Sequence, residues 1–314
     1  MRIVLVFCLS LLLISCGDDR PEQLQAYIKT ADYHLQNLGN DLDNNNLRNA
    51  IILKQYATLL KKQKTELTPL LNELEKDATR DGPMYRSLAG RLNTLKTTPD
   101  VLGDIDTQIA ESRTLIEASD SNLYNDALSD PINVIADMSN GQLARVNAIS
   151  QAQSLQANGA EDNGAGSQLI GNPNYGTWQT NSNGMSFWQW YGAYALFSAL
   201  TPRPVNYYGW SNKRDYSYYN DVGRQRYTSP QQRKKQDTLT QRTKKTFANR
   251  GGFNSPYAKS KTGASRMSSS SKKAQSSTGF SSKSSYSKKK KSLSSSSSFR
   301  SSRSTTSRSV RRGK

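Results

Sequence analysis

Cysteine and histidine are nearly absent from this 314-residue chain, and so are acidic residues in its second half. There are two cysteines, Cys8 and Cys16, and a single histidine, His34. One histidine cannot build a multi-ligand zinc site, although all-carboxylate metal sites stay open. His34 has no recognisable catalytic partner motif, and its spacing from Ala31 and Leu35 reads as a partly exposed helix position. Long hydrophobic runs are missing too. The apolar stretch 3–14, broken by Ser10, is shorter than the roughly 20 residues a spanning helix needs. No nucleophile motif, phosphate loop, dinucleotide fingerprint or EF-hand pattern occurs. These absences argue against an enzyme and against any cofactor, and they leave a binding or structural role.

The N-terminus carries a positive signal. Arg2 precedes the apolar stretch, which ends in Leu13-Ile14-Ser15-Cys16 and turns polar at Gly17-Asp18-Asp19-Arg20. This resembles the lipobox of bacterial lipoproteins: a branched apolar residue at −3, a small residue at −1, then the cysteine that receives diacylglycerol. The resemblance implies a signal peptide over 1–15, a lipidated segment over 16–20, and acylation of Cys16. Each buried methylene contributes roughly 0.8 kcal/mol, so two or three acyl chains hold the protein on a membrane stably. Gly17 at the sorting position implies the outer membrane, on either its periplasmic or its outer face. Removal of 1–15 also takes Cys8, so the mature chain would have no disulfide and no free thiol.

Charge divides the chain. Residues 17–162 carry 14 Lys/Arg and 22 Asp/Glu, whereas 163–314 carry 28 Lys/Arg and 3 Asp/Glu. The acidic part, 21–157, is expected to be helical. Leu24, Ile28, Ala31, Leu35 and Leu38 recur at helical spacing behind Pro21, with Gly39 as a C-cap. Leu53, Leu60, Leu67 and Leu74 form a heptad seam with Ala57, Leu71 and Ala78 between them. Lys64 and Pro69 interrupt that seam, with Thr68 placed to cap a new start. Further starts are expected at Pro83, at Thr98-Pro99 and at Asp130-Pro131, the last helix running through Ile135 and Met138 toward Val146 and Ile149. Between 21 and 157 there is no Trp or Phe, so the core must be aliphatic. The fold class is mainly α: a helical bundle or antiparallel coiled-coil hairpins.

Residues 158–174 lack apolar periodicity and read as a mobile linker. The segment 175–227 is different, holding all four tryptophans and nine of the sixteen tyrosines. Phe187, Trp188, Trp190, Tyr191 and Phe197 lie in an apolar run suited to a membrane interface, where aromatic rings favour the headgroup layer. Burial against the helices is the competing expectation for the same residues. Arginines at 203, 214, 224 and 226 could also stack on sugars or bases. Residues 228–314 read as a disordered basic tail, since 24 of the last 56 residues are Ser and little apolar surface is present to offset chain entropy. Lys288, Lys289, Lys290, Lys291, Arg311 and Arg312 are its candidate polyanion contacts.

The C-terminal half is similar in its order of parts to the YgiB-type family of enterobacterial envelope proteins. The matching pieces are Ser186-Phe187-Trp188, then Thr246-Phe247-Ala248-Asn249-Arg250-Gly251-Gly252-Phe253, then the Ser-rich run. That resemblance implies an envelope location and no particular activity. The expectation is therefore a lipid-anchored envelope lipoprotein with a non-enzymatic role. Its tail would engage lipopolysaccharide phosphates, anionic headgroups or an acidic wall polymer, and nucleic acid is disfavoured behind a signal peptide. The alternative is a helical oligomerising component of an envelope assembly or secretion system, binding a protein partner through the 53–74 seam.

Overall fold

The first helix, α1 (Arg20–Asp43), starts where Pro21 tolerates a missing N–H and buries Leu24, Ile28, Ala31, Leu35, Leu38 and Leu42 along one stripe. It belongs to a computed structural model that describes residues 18–180, 188–197 and 204–278, apart from 252, 254, 259 and 260. Cys16, Phe187 and the cationic positions at 288–291, 311 and 312 lie outside these residues. Gly39 does not end α1 as expected. It is a close-approach site inside the helix, where a Cβ would lie 2.5 Å from the Arg80 guanidinium carbon and 2.6 Å from the Tyr85 hydroxyl.

The heptad seam is broken into α2 (Arg48–Gln63) and α3 (Thr68–Glu75), joined by a 3-10 turn at Thr65–Leu67. The break falls at Lys64, whose ammonium donates 2.8 Å to the Met138 carbonyl. Pro69 sits in the first turn of α3 and costs no helical hydrogen bond, while Thr68 makes no cap bond. Leu53, Ala57, Leu60, Leu71, Leu74 and Ala78 are all fully buried within the chain. They are spent on the internal core rather than shown as an outward stripe.

Next comes α4 (Pro83–Thr97). Thr98-Pro99 opens only the 3-10 turn Pro99–Leu102. The following helix, α5 (Ile105–Ala118), is capped by Asp104, which accepts 2.9 Å from the Thr107 N–H. Helix α1 lies along α5 and α4, and α2 packs on α3 and the central helix α7. After α6 (Ser121–Ala127), α7 (Ser129–Met138) is buried on every side. It stops at Met138, where Asn140 and Gly141 take φ of 55° and 84°, so Val146 and Ile149 do not extend it. Val146 is instead pinned by both ends of the Asn133 amide, at 2.7 and 3.2 Å.

Beyond α8 (Gln151–Asn158) the expected mobile linker is part of the body. Leu169 and Ile170 are fully buried, and the Phe197 ring lies so close to Gly166 that a Cβ there would meet it at 2.3 Å. A two-stranded antiparallel hairpin follows, β1 (Gly176–Thr180) with β2 (Trp188–Gly192), then α9 (Tyr207–Lys213), a π-turn at Tyr219–Gly223 and α10 (Arg224–Tyr227). The expected disorder from 228 is overturned for the described residues up to 278, which include α11 (Pro230–Thr246) and α12 (Ser269–Thr278). Ser229 and Gln232 form a capping box on α11, and Gln236, Leu239 and Thr243 are its buried face.

The described residues belong to one compact unit with two cores. The larger is leucine-rich and runs through the helical half, while the smaller joins Ile170, Trp190, Val205, Tyr207, Trp210, Leu239 and Phe253. Buried carboxylates of the helical half pin the C-terminal half in place. Asp130 accepts from the N–H groups of Tyr218 and Tyr219 at 2.7 and 2.9 Å, and Asp126 from that of Ser268 at 2.7 Å. Asp77 accepts from the Tyr175 hydroxyl. Arg91 holds Glu111 at 2.6 Å and the Arg226 carbonyl at 2.6 Å, and Tyr227 donates 3.1 Å to the Ala118 carbonyl.

Candidate functional site

Strand periodicity builds one wall of a groove. Side chains alternate across a pleated strand, so Trp178 of β1 and both Trp188 and Trp190 of β2 share one face. The register sets Trp178 opposite Trp190 and Trp188 opposite Thr180. Behind them stand Tyr207 and Trp210, with ring centroids 4.9 and 5.1 Å from that of Trp178, and Trp178 meets Trp190 edge-on at 5.3 Å. Offset and edge-on geometry is what the aromatic quadrupole favours. Gly176 has to be glycine here, because a Cβ would stand 2.3 Å from the Tyr191 carbonyl oxygen and 2.6 Å from the Trp190 ring.

The opposite wall is α11. Its residues 231, 235, 238 and 242 recur at helical spacing and place Gln231, Lys235, Thr238 and Arg242 along the groove, with Leu239 at its base. Gln236 is fixed beneath, donating 2.9 Å to the Tyr219 hydroxyl and accepting 2.6 Å from the Arg224 Nε. The groove encloses about 750 Å³. None of the described residues lining it is acidic. The nearby Asp237 is drawn off to Arg224 at 2.7 Å. Inside the wall, the Trp178 and Trp190 indole N–H groups find no acceptor among the described residues.

The aromatic residues expected at a membrane interface are divided by this arrangement. Trp190 and Phe197 are buried, so they have no ring area to place in a headgroup layer. Trp188 is half-buried on the groove, Tyr191 is 47% exposed on the hairpin's other face, and Leu196 is 42% exposed. Among the described residues no helix is long and apolar enough to cross a membrane. Of the arginines expected to stack on ligands, Arg214 is a buried partner of Asp221 at 2.6 Å, Arg226 meets Glu117 at 2.8 Å, and Arg224 lies over the Tyr257 ring at 4.0 Å. All three are engaged inside the protein.

Two carboxyls are strongly perturbed, and neither lines the groove. Burial pushes Asp77 up to about 7 against the Tyr175 hydroxyl and Met84 N–H that hold it down. Burial does the same to Asp130, also up to about 7, against the Tyr219 and Tyr218 N–H groups and the Ser217 hydroxyl. Both are enclosed structural acceptors. No group of three or more His, Cys, Asp or Glu that could hold a metal occurs among the described residues. What the groove can do chemically is stack flat faces, donate hydrogen bonds and neutralise anions.

The groove is hard to see in the sequence because α11 lies within the expected basic tail. The signal was present in Ser229-Pro230-Gln231-Gln232, a helix-start signature, followed by Gln236, Leu239 and Thr243 at helical spacing. Comparison with protein-family models, curated proteins and solved structures finds no match to this chain.

Proposed function

We propose that the chain is an envelope lipoprotein, held on the outer membrane by acyl chains on Cys16, that binds an anionic envelope partner with its basic C-terminal half and catalyses no reaction. The observation that carries the reading is the segregation of charge. Acids of the helical half such as Asp77, Asp126 and Asp130 are consumed by internal hydrogen bonds. Helix α11 meanwhile presents Lys234, Lys235, Arg242, Lys244 and Lys245 at the surface. Near an anionic membrane each such cation contributes roughly 1 kcal/mol, decaying over a Debye length of about 8 Å at physiological salt. Further cations follow at Lys288, Lys289, Lys290, Lys291, Arg311 and Arg312.

Retention on purified envelopes across a salt series tests this. The wild-type chain stays bound at all salt levels through its lipid. Cys16→Ser is retained at low salt and released at high salt, and ending that variant at Ser282 moves release to lower salt. Retention of Cys16→Ser that ignores salt, or its absence even at low salt, sinks the reading.

A further inference from the structure

We propose that the groove between the β1–β2 hairpin and α11 binds a segment of an acidic polysaccharide, with sugar rings stacked on Trp188 and Trp178 and acidic substituents paired with Lys235 and Arg242. This deepens the reading above and rests on it for the choice of an anionic envelope polymer.

The two walls match the two sides of such a ligand. A pyranose ring has a face of C–H bonds, which suits an indole, and a rim of hydroxyls, which suits hydrogen-bond donors. The half-buried Trp178 and Trp188, backed by the buried Trp190, supply the flat surface on one side. Buried indole N–H groups ordinarily have an acceptor. Those of Trp178, Trp190 and Trp210 have none among the described residues and are enclosed within the aromatic cluster, so the sugar meets ring faces and the groove's exposed side chains instead. The volume of about 750 Å³ falls within the roughly 300–1,000 Å³ of ordinary ligand sites.

Charge selects among sugars. The lining includes Lys234, Lys235 and Arg242, no acid, and no ion pair to any of the three among the described residues. A neutral glycan or a lipid chain would leave those cations unmatched. Carboxylate or phosphate groups along a sugar chain answer both walls at once. Single-stranded nucleic acid has similar chemistry, with bases that stack and phosphates that pair. The lipobox places it out of reach, so it enters as an outcome of the test.

The test uses the full mature chain with Cys16→Ser and reads tryptophan fluorescence, because three of the four tryptophans line the groove. The probes are tetragalacturonate, neutral maltotetraose, oligothymidylate and a tetraglutamate peptide. Tetragalacturonate is expected to give a saturable change, with maltotetraose about tenfold weaker or worse, as a missing charge partner implies. Trp188→Ala, Lys235→Gln and Arg242→Gln each weaken binding by about fivefold or more, while ending the chain at Ser282 leaves it unchanged. The two glutamine variants lie on the exposed surface of α11 and guard against misfolding of Trp188→Ala, which far-UV circular dichroism checks. The inference is overturned if tetragalacturonate gives no saturable change. It is also overturned if both glutamine variants bind it as the wild type does, or if oligothymidylate or the peptide binds more tightly. Salt-sensitive envelope retention together with unaltered binding by the groove variants defeats the groove alone. Loss of salt-sensitive retention defeats the reading beneath it.

Discussion

The helical half buries mostly aliphatic side chains, with a few ion pairs such as Arg91–Glu111 among them, whereas the C-terminal half buries mostly aromatic and polar ones. In the first, Leu38, Leu53, Leu60, Leu71, Leu74 and Leu88 pack with no polar partner to satisfy, and the helices close their own backbone hydrogen bonds. In the second, the buried side chains are Tyr207, Tyr216, Tyr218, Tyr219, Tyr227 and Trp210, together with Arg214 and Asp221. Aromatic hydroxyls, a guanidinium and carboxylates require partners at defined angles, so this half is held by directional bonds to one particular surface. Aliphatic packing tolerates small shifts, whereas a buried ion pair that loses one member does not. The halves should therefore fail differently, and they can be watched separately. All four tryptophans lie in 178–210, so near-ultraviolet dichroism and fluorescence report the second half, while far-ultraviolet dichroism is weighted toward the first.

The largest expected effect breaks the comparison at its most directional point. Asp221→Ala leaves the Arg214 guanidinium, 1% exposed, without its carboxylate and removes the acceptor of the Ser217 and Lys261 N–H groups. A loss of about 3–5 kcal/mol is expected. The tryptophan signal should melt ahead of the helical signal. Leu60→Ala, in the aliphatic core, is expected to cost about 2–5 kcal/mol and to lower both signals together. Denaturant titrations with both probes check the pair, and coincident melting in Asp221→Ala would erase the distinction.

An effect of another kind is graded by pH. Asp77 and Asp130 have folded-state values raised to about 7, while an unfolded aspartate titrates near 3.9. Between those values the folded protein holds protons that the unfolded chain has released. Stability therefore falls as pH rises from about 4 to 7, and levels off above that. Asp18 and Asp104, both lowered by hydrogen bonds, act only below this window. Denaturation midpoints across pH 5–8 should show the decline, and Asp77→Asn should flatten part of it.

The smallest effect sharpens the seam between the halves. Tyr227→Phe removes one hydrogen bond to the Ala118 carbonyl and leaves the ring in place. It should cost about 1 kcal/mol, read as a modest shift of the tryptophan transition.

Much of the helical half was legible because its signals are local and periodic. Pro21 and Pro83 begin helices, Leu24 to Leu38 and Leu53 to Leu60 face inward, and His34 is a half-exposed helix residue. The errors there came from side chains that act at a distance. Gly39 is explained by Arg80 and Tyr85, and the break at Lys64 by the Met138 carbonyl. The C-terminal half was far less legible. Low mean hydropathy in 228–278 counts against independent folding, yet Leu239, Phe247, Phe253 and Ala274 are buried against elements far away in the chain. Composition registers how much apolar surface a segment owns, and it is blind to the surface offered by others.

By itself, then, the sequence determined the mainly helical class, the aliphatic character of the first core and the crowding of cations into the second half. Those properties follow from residue type and spacing within a few turns. Only the tertiary structure decided that the described residues of 158–278 join the body, that Trp190 and Phe197 are interior, and that α11 stands opposite three tryptophans. Each of those facts depends on contacts between residues far apart in the chain, such as Asp130 with Tyr218 and Tyr219 or Asp77 with Tyr175. No local pattern encodes such contacts, because their free energy is released only once both partners are already in place.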